Sequence, residues 1–259
     1  YDFHRRTDQL TLLMALLNRR LAQLRHRWIG ELSLALLLPI GIYITLGFGL
    51  SGGIPKLQGV PQLGWLIPGI VLMVAFAGAL IALFNDLFHN RGINGFFCSI
   101  YASPHTPTST VMSLMFSMLP EGIIRSFLAL GILQTLLGYG YPFFGQLLFL
   151  FLIALAVLLG GMVGLTLGIL ARDAVASQIV ILLFLLSLGF CSEWFVPLNV
   201  FPTAIQPLLH VLPTSILVEM GRDLLLNQDS SPVLILVVLG TIALWTVVNS
   251  FLFPRISTE

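Results

Sequence analysis

The side chains that could carry out chemistry are few in this sequence and lie far apart. No two histidines have the helical spacing of a metal site, and no cysteine pair accompanies them; the histidines are His4, His26, His89, His105 and His210. No Gly-x-Ser-x-Gly segment is present to supply a serine nucleophile. Folding could bring His210 to Ser215 or Glu193, but a helix cap or a polar packing contact is the simpler role. These patterns predict neither a metal centre nor a hydrolytic site.

The sequence also lacks the elements of an ATP-binding phosphate loop. Such a loop needs a glycine-rich turn followed by a lysine and then a serine or threonine. The one lysine of the chain, Lys56, is followed by Leu57. We therefore predict that this polypeptide hydrolyses no ATP by itself and binds no cofactor of its own.

Composition indicates that these few polar groups belong to an integral membrane protein. Hydrophobic residues make up 57% of the 259 residues and charged residues 9%, against roughly 25% charged residues in soluble domains. A bilayer crossing takes about 20 apolar residues. Six runs approach that length, at 29–50, 63–84, 123–139, 143–170, 175–195 and 233–253. Because lipid offers no partner to unpaired backbone groups, we predict an all-α fold with six transmembrane helices in one membrane domain, 1–259.

The basic residues are distributed unevenly around these runs. With an even number of crossings and the N-terminus inside, ten arginines fall on the inner side: Arg5, Arg6, Arg19, Arg20, Arg25, Arg27, Arg91, Arg125, Arg172 and Arg255. Only Lys56 and Arg222 fall on the outer side. Because basic residues concentrate in cytoplasmic loops, both termini are predicted to be cytoplasmic. The basic, polar N-terminal stretch also predicts that no cleavable signal peptide is present.

Charged side chains are expected only at the ends of the crossings. The cytoplasmic ends would hold Glu31, Asp86, Glu121, Arg125, Arg172 and Asp173, and Glu193 would lie near an outer end. Transport driven by protons or ions usually relies on ionisable groups within the membrane. We therefore expect no buried relay of carboxylates, and an energy source on another chain.

Residues 1–28 carry an apolar stripe ahead of the first crossing. Its members recur at spacings of three and four, with arginines between them: Leu10, Leu13, Leu17, Leu21, Leu24 and Trp28. The pattern predicts an amphipathic helix at the membrane surface, where the arginines would meet anionic headgroups. Packing on a soluble partner is the alternative, and the two are compatible.

Small residues recur in the fourth run. Gly160, Gly164 and Gly168 are spaced four apart, with Gly161 beside them. Such a face allows two helices to approach closely. We predict helix packing here, with a glycine-lined pathway as the alternative.

A polar segment interrupts the apolar runs within the predicted cytoplasmic region 85–119. It reads R-G-I-N-G-F-F-C-S-I-Y-A-S-P-H-T-P-T-S-T over 91–110 and contains two prolines. Phe96, Phe97 and Tyr101 give it an apolar, aromatic character that suits a contact surface better than a free loop. A solvated connector is the alternative.

The region between the fifth and sixth runs is too apolar for an ordinary loop. Its four prolines, Pro197, Pro202, Pro207 and Pro213, also argue against one continuous helix. We predict short re-entrant helices over 196–231, because irregular backbone at membrane depth must be packed in protein or line a cavity. The residues predicted to form an outer gate and substrate path are Glu193, Trp194, Phe195, Pro197, Phe201, Pro202 and Pro213.

These features together resemble the membrane subunits of type-2 ABC exporters, over nearly the whole chain. The family has a "P-L-x-x-x-P … Q-x-L … L-x-P-T … R" pattern before its last crossing. It is matched here by Pro197-Leu198, Pro202, Gln206-Pro207-Leu208, Leu212-Pro213-Thr214 and Arg222. In the family's cytoplasmic loop, an R-G-T-L-E-like segment precedes a T-P-I-S-like turn, and Arg91-Gly92 and Ser103-Pro104 occupy those places.

The resemblance implies a permease that works with other subunits in the lipid bilayer. Separate ATP-binding cassette subunits would carry ATP and Mg²⁺, and a second permease, identical or related, would complete the path; no nucleic acid is involved. The segment that contacts the ATPase would comprise Arg91, Gly92, Phe96, Phe97, Tyr101, Ser103 and Pro104.

The activity implied by this resemblance is ATP-driven export. The complex would move an amphipathic, lipid-linked or drug-like substrate outward across a plasma membrane, expected to be a bacterial inner membrane. Two alternatives stay open at this point: a non-transporting scaffold that tethers an ATPase, and a membrane-embedded lipid enzyme.

Overall fold

A computed structural model describes residues 2–50, 56–57, 60–90, 106–138, 140–171, 173–226 and 233–254. Within these ranges the chain is almost entirely helical. The only strands found there are β1 (Lys56–Leu57) and β2 (Val60–Pro61), which form a short antiparallel pair. The predicted all-α class is confirmed.

The helices are of two kinds, long apolar helices and short ones that precede the last long helix. In chain order they are α1 (Asp2–Leu50), α2 (Gln62–Asn90), α3 (Pro107–Leu137), α4 (Phe143–Leu170), α5 (Ala174–Cys191), α6 (Gln206–His210), α7 (Pro213–Leu226) and α8 (Leu234–Leu252). A 3₁₀ turn, Leu198–Val200, lies between α5 and α6.

Five of these helices are long and apolar enough to cross a bilayer. Their apolar stretches are Trp28–Leu46, Gly64–Phe88, Pro107–Leu136, Phe143–Leu170 and Leu234–Leu252. The remaining predicted run, 175–195, forms the shorter apolar helix α5 and the turn that follows it. All six predicted runs therefore contain a helix, and five of those helices have the length of a crossing.

The first helix joins two segments that the sequence predicts as separate. α1 is continuous over 49 residues, so the predicted surface helix 1–28 and the first crossing form one element. From the predicted apolar stripe, Leu21 and Trp28 are exposed, at 53% and 59%, whereas Leu16 outside the stripe is buried. α1 thus packs on the bundle, chiefly on α3, through a different face. Leu21 and Trp28 are exposed on the surface of the chain, where lipid or another protein can reach them.

The third helix begins well before the apolar run that predicts it. The Thr106 side chain accepts a hydrogen bond from the Ser109 N–H at 3.3 Å, which caps the helix, and Pro107 fits the first turn. At the other end Gly138 has φ 65°, the left-handed conformation that commonly terminates a helix. Local capping chemistry therefore sets both ends of α3.

This early start corrects the placement of two charged residues. The predicted run 123–139 covers only the second half of α3, because Pro120, Glu121 and Arg125 lower the hydropathy of its middle. Glu121 and Arg125 consequently lie near the middle of a 31-residue helix and not at a cytoplasmic end.

The core lies between α2 and α4, which run in the same direction. Gly160 lies against the backbone of Phe76, and Gly164 lies against the backbone of Leu80, so the contacts advance by four residues on each helix. A Cβ atom at either glycine would collide with the backbone of α2. The predicted role of these glycines in close helix packing is confirmed.

A polar cluster attaches α8 to α4. Asn249 is fully buried, donates to the Met162 carbonyl at 3.0 Å and accepts a hydrogen bond from the Thr166 hydroxyl at 2.7 Å. The Trp245 ring nitrogen donates to the same hydroxyl at 2.8 Å. Such hydrogen bonds hold helices together where lipid removes the hydrophobic driving force.

Candidate functional site

The turn after α5 holds an acidic residue in an uncommon backbone conformation. Glu193 has φ 58°, the left-handed region that residues other than glycine seldom adopt. Its Oε1 accepts a hydrogen bond from the Leu198 N–H at 3.1 Å, which closes the turn on itself. Such a conformation persists only where the surrounding contacts hold it in place.

Arg222 on α7 supplies further contacts to this turn. Its Nη1 donates to Glu193 Oε2 at 3.1 Å, and its Nη2 donates to the main-chain carbonyl of Glu193. Its Nε donates to the Trp65 carbonyl at 3.3 Å, and the guanidinium lies 3.3 Å from the centroid of the Trp65 ring. One side chain therefore joins α7, the turn after α5 and the start of α2. We call Arg222, Glu193 and Trp65 the outer clasp.

The charges of the outer clasp are removed from solvent. The Arg222 side chain is 3% exposed and that of Glu193 is 15% exposed. Burial lowers the pKa of Arg222, while the charges of Glu193, Glu219 and Asp223 oppose that shift and favour the charged guanidinium. Removing one partner of such a pair leaves a buried charge without its counter-ion.

The two aromatic residues after Glu193 pack inward. Trp194 is buried, with its ring centroid 5.5 Å from that of Phe76, and its carbonyl lies against Gly69 of α2. Phe195 is also buried, and its ring meets Phe190 edge-on. Both fill the space beside the turn rather than lining an open channel.

The other residues predicted for the outer gate lie on short elements separated by prolines. Pro197 precedes the 3₁₀ turn, Phe201 and Pro202 follow it, and Pro213 opens α7. The Phe201 carbonyl accepts a hydrogen bond from the Gln206 side chain at 2.8 Å. The prolines thus break this region into turns whose backbone groups find partners nearby.

α7 packs into the end of the bundle that contains the starts of α2 and α4, which we call the outer end after the topology predicted from the sequence. Gly221 of α7 lies against Phe149 and Leu72, and Gly145 of α4 lies against the Leu224 backbone. A second polar contact, between the hydroxyls of Ser192 and Thr214 at 2.7 Å, joins the end of α5 to α7. α7 and the turn after α5 are therefore part of the packed bundle.

The segment predicted to contact an ATPase lies outside the described residues. It includes all of the residues proposed for that contact: Arg91, Gly92, Phe96, Phe97, Tyr101, Ser103 and Pro104. The structure shows what flanks it, because α2 ends at Asn90 and α3 begins at Pro107. The Thr-Pro step that opens α3 is Thr106-Pro107, a few residues after the Ser103-Pro104 step that the sequence analysis assigned to the turn.

Four charged side chains that were all predicted on the cytoplasmic side, without any pairing, meet inside the bundle. Arg20 Nη2 lies 2.8 Å from Asp86 Oδ2, and Arg20 Nη1 lies 3.8 Å from Glu121 Oε2. Arg125 Nη2 donates to Glu121 Oε1 at 2.6 Å. The expectation that carboxylates stay at the ends of the crossings is wrong for Glu121. Only the four-residue spacing of Glu121 and Arg125 could have indicated this pairing from the sequence.

The described residues contain no group of three His, Cys, Asp or Glu side chains placed to hold a metal ion. His210, considered above for catalysis, is exposed on α6, whereas Ser215 is buried on α7. The Glu193 carboxylate is engaged by Arg222. The site is therefore one of structural ion pairing at the outer end of the bundle.

Several long apolar helices, packed through glycines and internal ion pairs, define a multi-pass helical membrane protein. A family model described as ABC-2 type transporter matches residues 11–226. The chain belongs to this family, which confirms the resemblance drawn from the sequence, and it is the membrane permease component of an ABC transporter. Permease domains of this family work with ATP-binding cassette subunits. No curated protein matches the chain.

Proposed function

We propose that this permease is part of an ATP-driven exporter in which two permease subunits and two ATP-binding cassette subunits act together. The substrate is amphipathic, lipid-linked or drug-like and moves outward. The observation that carries this proposal is the outer clasp, in which one buried arginine holds the turn after α5 and the re-entrant region to a core helix. A closed outer end held by a few polar contacts is what a gated export path requires.

In this proposal the chain crosses the membrane six times, with both termini in the cytoplasm. α5 and the turn after it form the fifth crossing, supported by the apolar character of the helix, whose 18 residues include no charged side chain and only three polar ones, Ser177, Gln178 and Ser187. α6 and α7 form the re-entrant part. Their placement is supported by the packing of Gly221 against Phe149 and Leu72, residues of two crossing helices.

The outer gate opens by separation of α7 and the turn after α5 from α2. Trp194 and Phe195 occupy the space that must be vacated, and the outer clasp supplies the polar contacts that must break. The prolines that bound these elements, Pro197, Pro202 and Pro213, limit the movement to the segments between them. Phe201, partly buried after the 3₁₀ turn, borders the same opening.

The energy for this movement comes from the cassette subunits. The chain carries no glycine-rich loop followed by lysine and serine or threonine, so ATP and Mg²⁺ bind to the partner. The segment 91–104, between α2 and α3, contacts that partner, with Phe96, Phe97 and Tyr101 as apolar anchors and Arg91, Gly92, Ser103 and Pro104 setting its shape.

The chemistry of the buried groups supports an amphipathic substrate. The buried carboxylates described in the structure are engaged by arginines of the same chain, Glu193 by Arg222 and Glu121 by Arg125. Around them the helices present apolar side chains, which suit a hydrophobic cargo. The exposed apolar side chains of α5, such as Ile179, Leu182 and Leu186, offer a face for the second permease or for lipid.

The test is transport by the permease co-purified with its cassette subunits and reconstituted in inside-out vesicles. Two probes are used, a fluorescent phospholipid and a cationic amphipathic dye. We expect uptake of at least one probe with Mg-ATP, and none when the phosphate-loop lysine of the cassette subunit is replaced. Robust ATP hydrolysis without movement of either probe would favour the scaffold alternative. Chemical conversion of the lipid by the permease alone would favour the enzyme alternative.

A further inference from the structure

We propose that Arg20 is a positioning residue that keeps both helices flanking the ATPase-contact segment aligned with α1, through a chain of buried charges. The inference rests on the proposed function, because it assigns Arg20 a part in passing movement from the segment 91–104 to the outer end. It concerns side chains far from the outer clasp.

The chain consists of four side chains of alternating charge, in the order Asp86, Arg20, Glu121 and Arg125. Arg20 bridges the two carboxylates, at 2.8 Å from Asp86 and 3.8 Å from Glu121, and Arg125 completes the series at 2.6 Å from Glu121. Each of the four side chains is 20% exposed or less. We call these residues the charge chain.

The charge chain links α1 to the two helices that flank the ATPase-contact segment. Asp86 lies four residues before the end of α2 at Asn90, and the segment follows directly. Glu121 lies near the middle of α3, the first helix after the segment. Arg20 on α1 therefore contacts the helix before the segment and the helix after it.

The charge chain also reaches deep into the bundle. Gly122, next to Glu121, lies against Val157, which is midway along the 28 residues of α4. The Arg125 guanidinium lies against Gly78, near the middle of α2. A displacement at the Asn90 end of α2 is thus connected through ion pairs to the centre of the bundle.

Stability alone does not account for charges at this depth. Replacing a buried ion pair by apolar residues of similar volume is often neutral or stabilising, and buried ionisable groups within a membrane bundle commonly mark a functional path. The neighbouring Arg19 also interacts with the Asp86 charge. Arg20 differs from it in bridging Asp86 and Glu121, so Arg20 is the residue to test.

The experiment measures how fast a thiol reagent labels the outer end in variants of the charge chain. Asn199, exposed in the middle of the 3₁₀ turn, is replaced by cysteine in a chain carrying Cys98→Ser and Cys191→Ser. The complex with its cassette subunits is placed in lipid nanodiscs, which leave both faces accessible, and is labelled with a hydrophilic maleimide. Labelling rates are compared without nucleotide and with Mg-ATP plus vanadate.

Three variants distinguish a role of Arg20 in aligning the helices from a contribution to the stability of the permease alone. Arg20→Gln leaves Asp86 without its bridging cation, whereas Arg20→Gln with Asp86→Asn restores charge balance but not the link. Arg25→Gln, at an exposed arginine on the same helix, is the matched control. Yield, melting temperature and the amount of cassette subunit retained are measured for each.

We expect Arg20→Gln alone to lower the melting temperature and to abolish the nucleotide-dependent change in labelling at position 199. The double change should recover the melting temperature and retain the cassette subunits, yet still lack the change in labelling. Arg25→Gln should behave as the parent. A double variant that responds to Mg-ATP as the parent does would overturn the role of Arg20 and leave only a structural ion pair.

The same experiment distinguishes failure of the proposed function. A parent complex that retains its cassette subunits and hydrolyses ATP, but whose labelling at position 199 never changes, would contradict the proposed outer gate and with it the charge chain as a transmitting element. A responsive parent together with an equally responsive double variant would contradict the charge chain alone.

Discussion

Arg222 and Glu193, 29 positions apart in the sequence, are joined by one guanidinium that donates to both the carboxylate and the main-chain carbonyl of the same glutamate. The glutamate has a left-handed backbone, and the arginine also donates to the Trp65 carbonyl. The Arg222 side chain thus contacts both the carboxylate of Glu193 and its main chain, which has the left-handed conformation. Movement of the turn away from α7 breaks both contacts.

Loss of the Glu193 carboxylate alone should therefore leave the buried Arg222 guanidinium without its counter-ion and lower the stability of the permease. We expect Glu193→Gln or Glu193→Ala to destabilise the permease by about 3 to 5 kcal/mol, the usual cost of leaving a buried charge unpaired. Arg222→Gln combined with Glu193→Gln should cost less than the sum of the single changes. Thermal unfolding in nanodiscs measures this, with Thr203→Ala, at an exposed residue of the same region, as the control.

Transport should respond to the same changes. Because the outer clasp holds the gate, both Glu193 variants should alter the ratio of probe movement to ATP hydrolysis in vesicles. Parent rates of transport in both variants, together with cysteines at 194–201 that outside thiol reagents never reach, would show that this region is only a structural cap.

The packing of α4 on α2 should tolerate no added methyl group at its glycines. A Cβ atom at Gly164 would collide with the Leu80 backbone, and backbone cannot move aside as a flexible side chain can. We expect Gly164→Ala to destabilise the permease by about 1 to 3 kcal/mol. Gly240→Ala, on α8 with open space around it, should leave the melting temperature unchanged or slightly raised.

The aromatic residues of the segment 91–104 should anchor the cassette subunit. Truncating an aromatic side chain at the centre of an interface often costs about 2 kcal/mol or more. Phe97→Ala or Tyr101→Ala should then weaken binding of the purified cassette subunit by about 30-fold, or uncouple its hydrolysis from transport. Phe143→Ala, an exposed aromatic at the outer end, is the control for binding.

Crosslinking locates this contact independently. Cysteines introduced at 91–107 should crosslink to the cassette subunit, and those at 51–62 should not. The reverse pattern would invert the proposed orientation of the chain in the membrane and reject the contact.

The isolated permease should hydrolyse no ATP. Its sequence has one lysine, Lys56, without the glycine-rich turn and hydroxyl residue of a phosphate loop. Phosphate release is measured on the purified chain, with mass spectrometry to establish that no other polypeptide is present. Sustained hydrolysis by such a preparation would contradict this assignment and place a nucleotide site on the chain.

Much of the architecture could be predicted from the sequence, because the signals involved are local. Long apolar runs require helices, since a helix satisfies its own backbone hydrogen bonds in lipid. The spacing of Gly160 and Gly164 predicted close packing, since residues four apart share one helix face, and the proline pattern before α8 pointed to the transporter family. The start of α3 was missed, although Thr106 and Pro107 provide a recognisable cap.

The pairing of charges on different helices was decided by the tertiary structure alone. Whether Arg222 meets Glu193, or Arg20 meets Asp86, depends on the rotation and axial position of helices distant in the chain. Hydropathy places a charged residue relative to an apolar run, but it does not indicate which neighbouring helix faces that residue. The sequence by itself determined a helical membrane permease of the ABC-2 family. The fold decided where its buried ion pairs lie, because a buried charge is tolerated only where packing brings an opposite charge within contact distance.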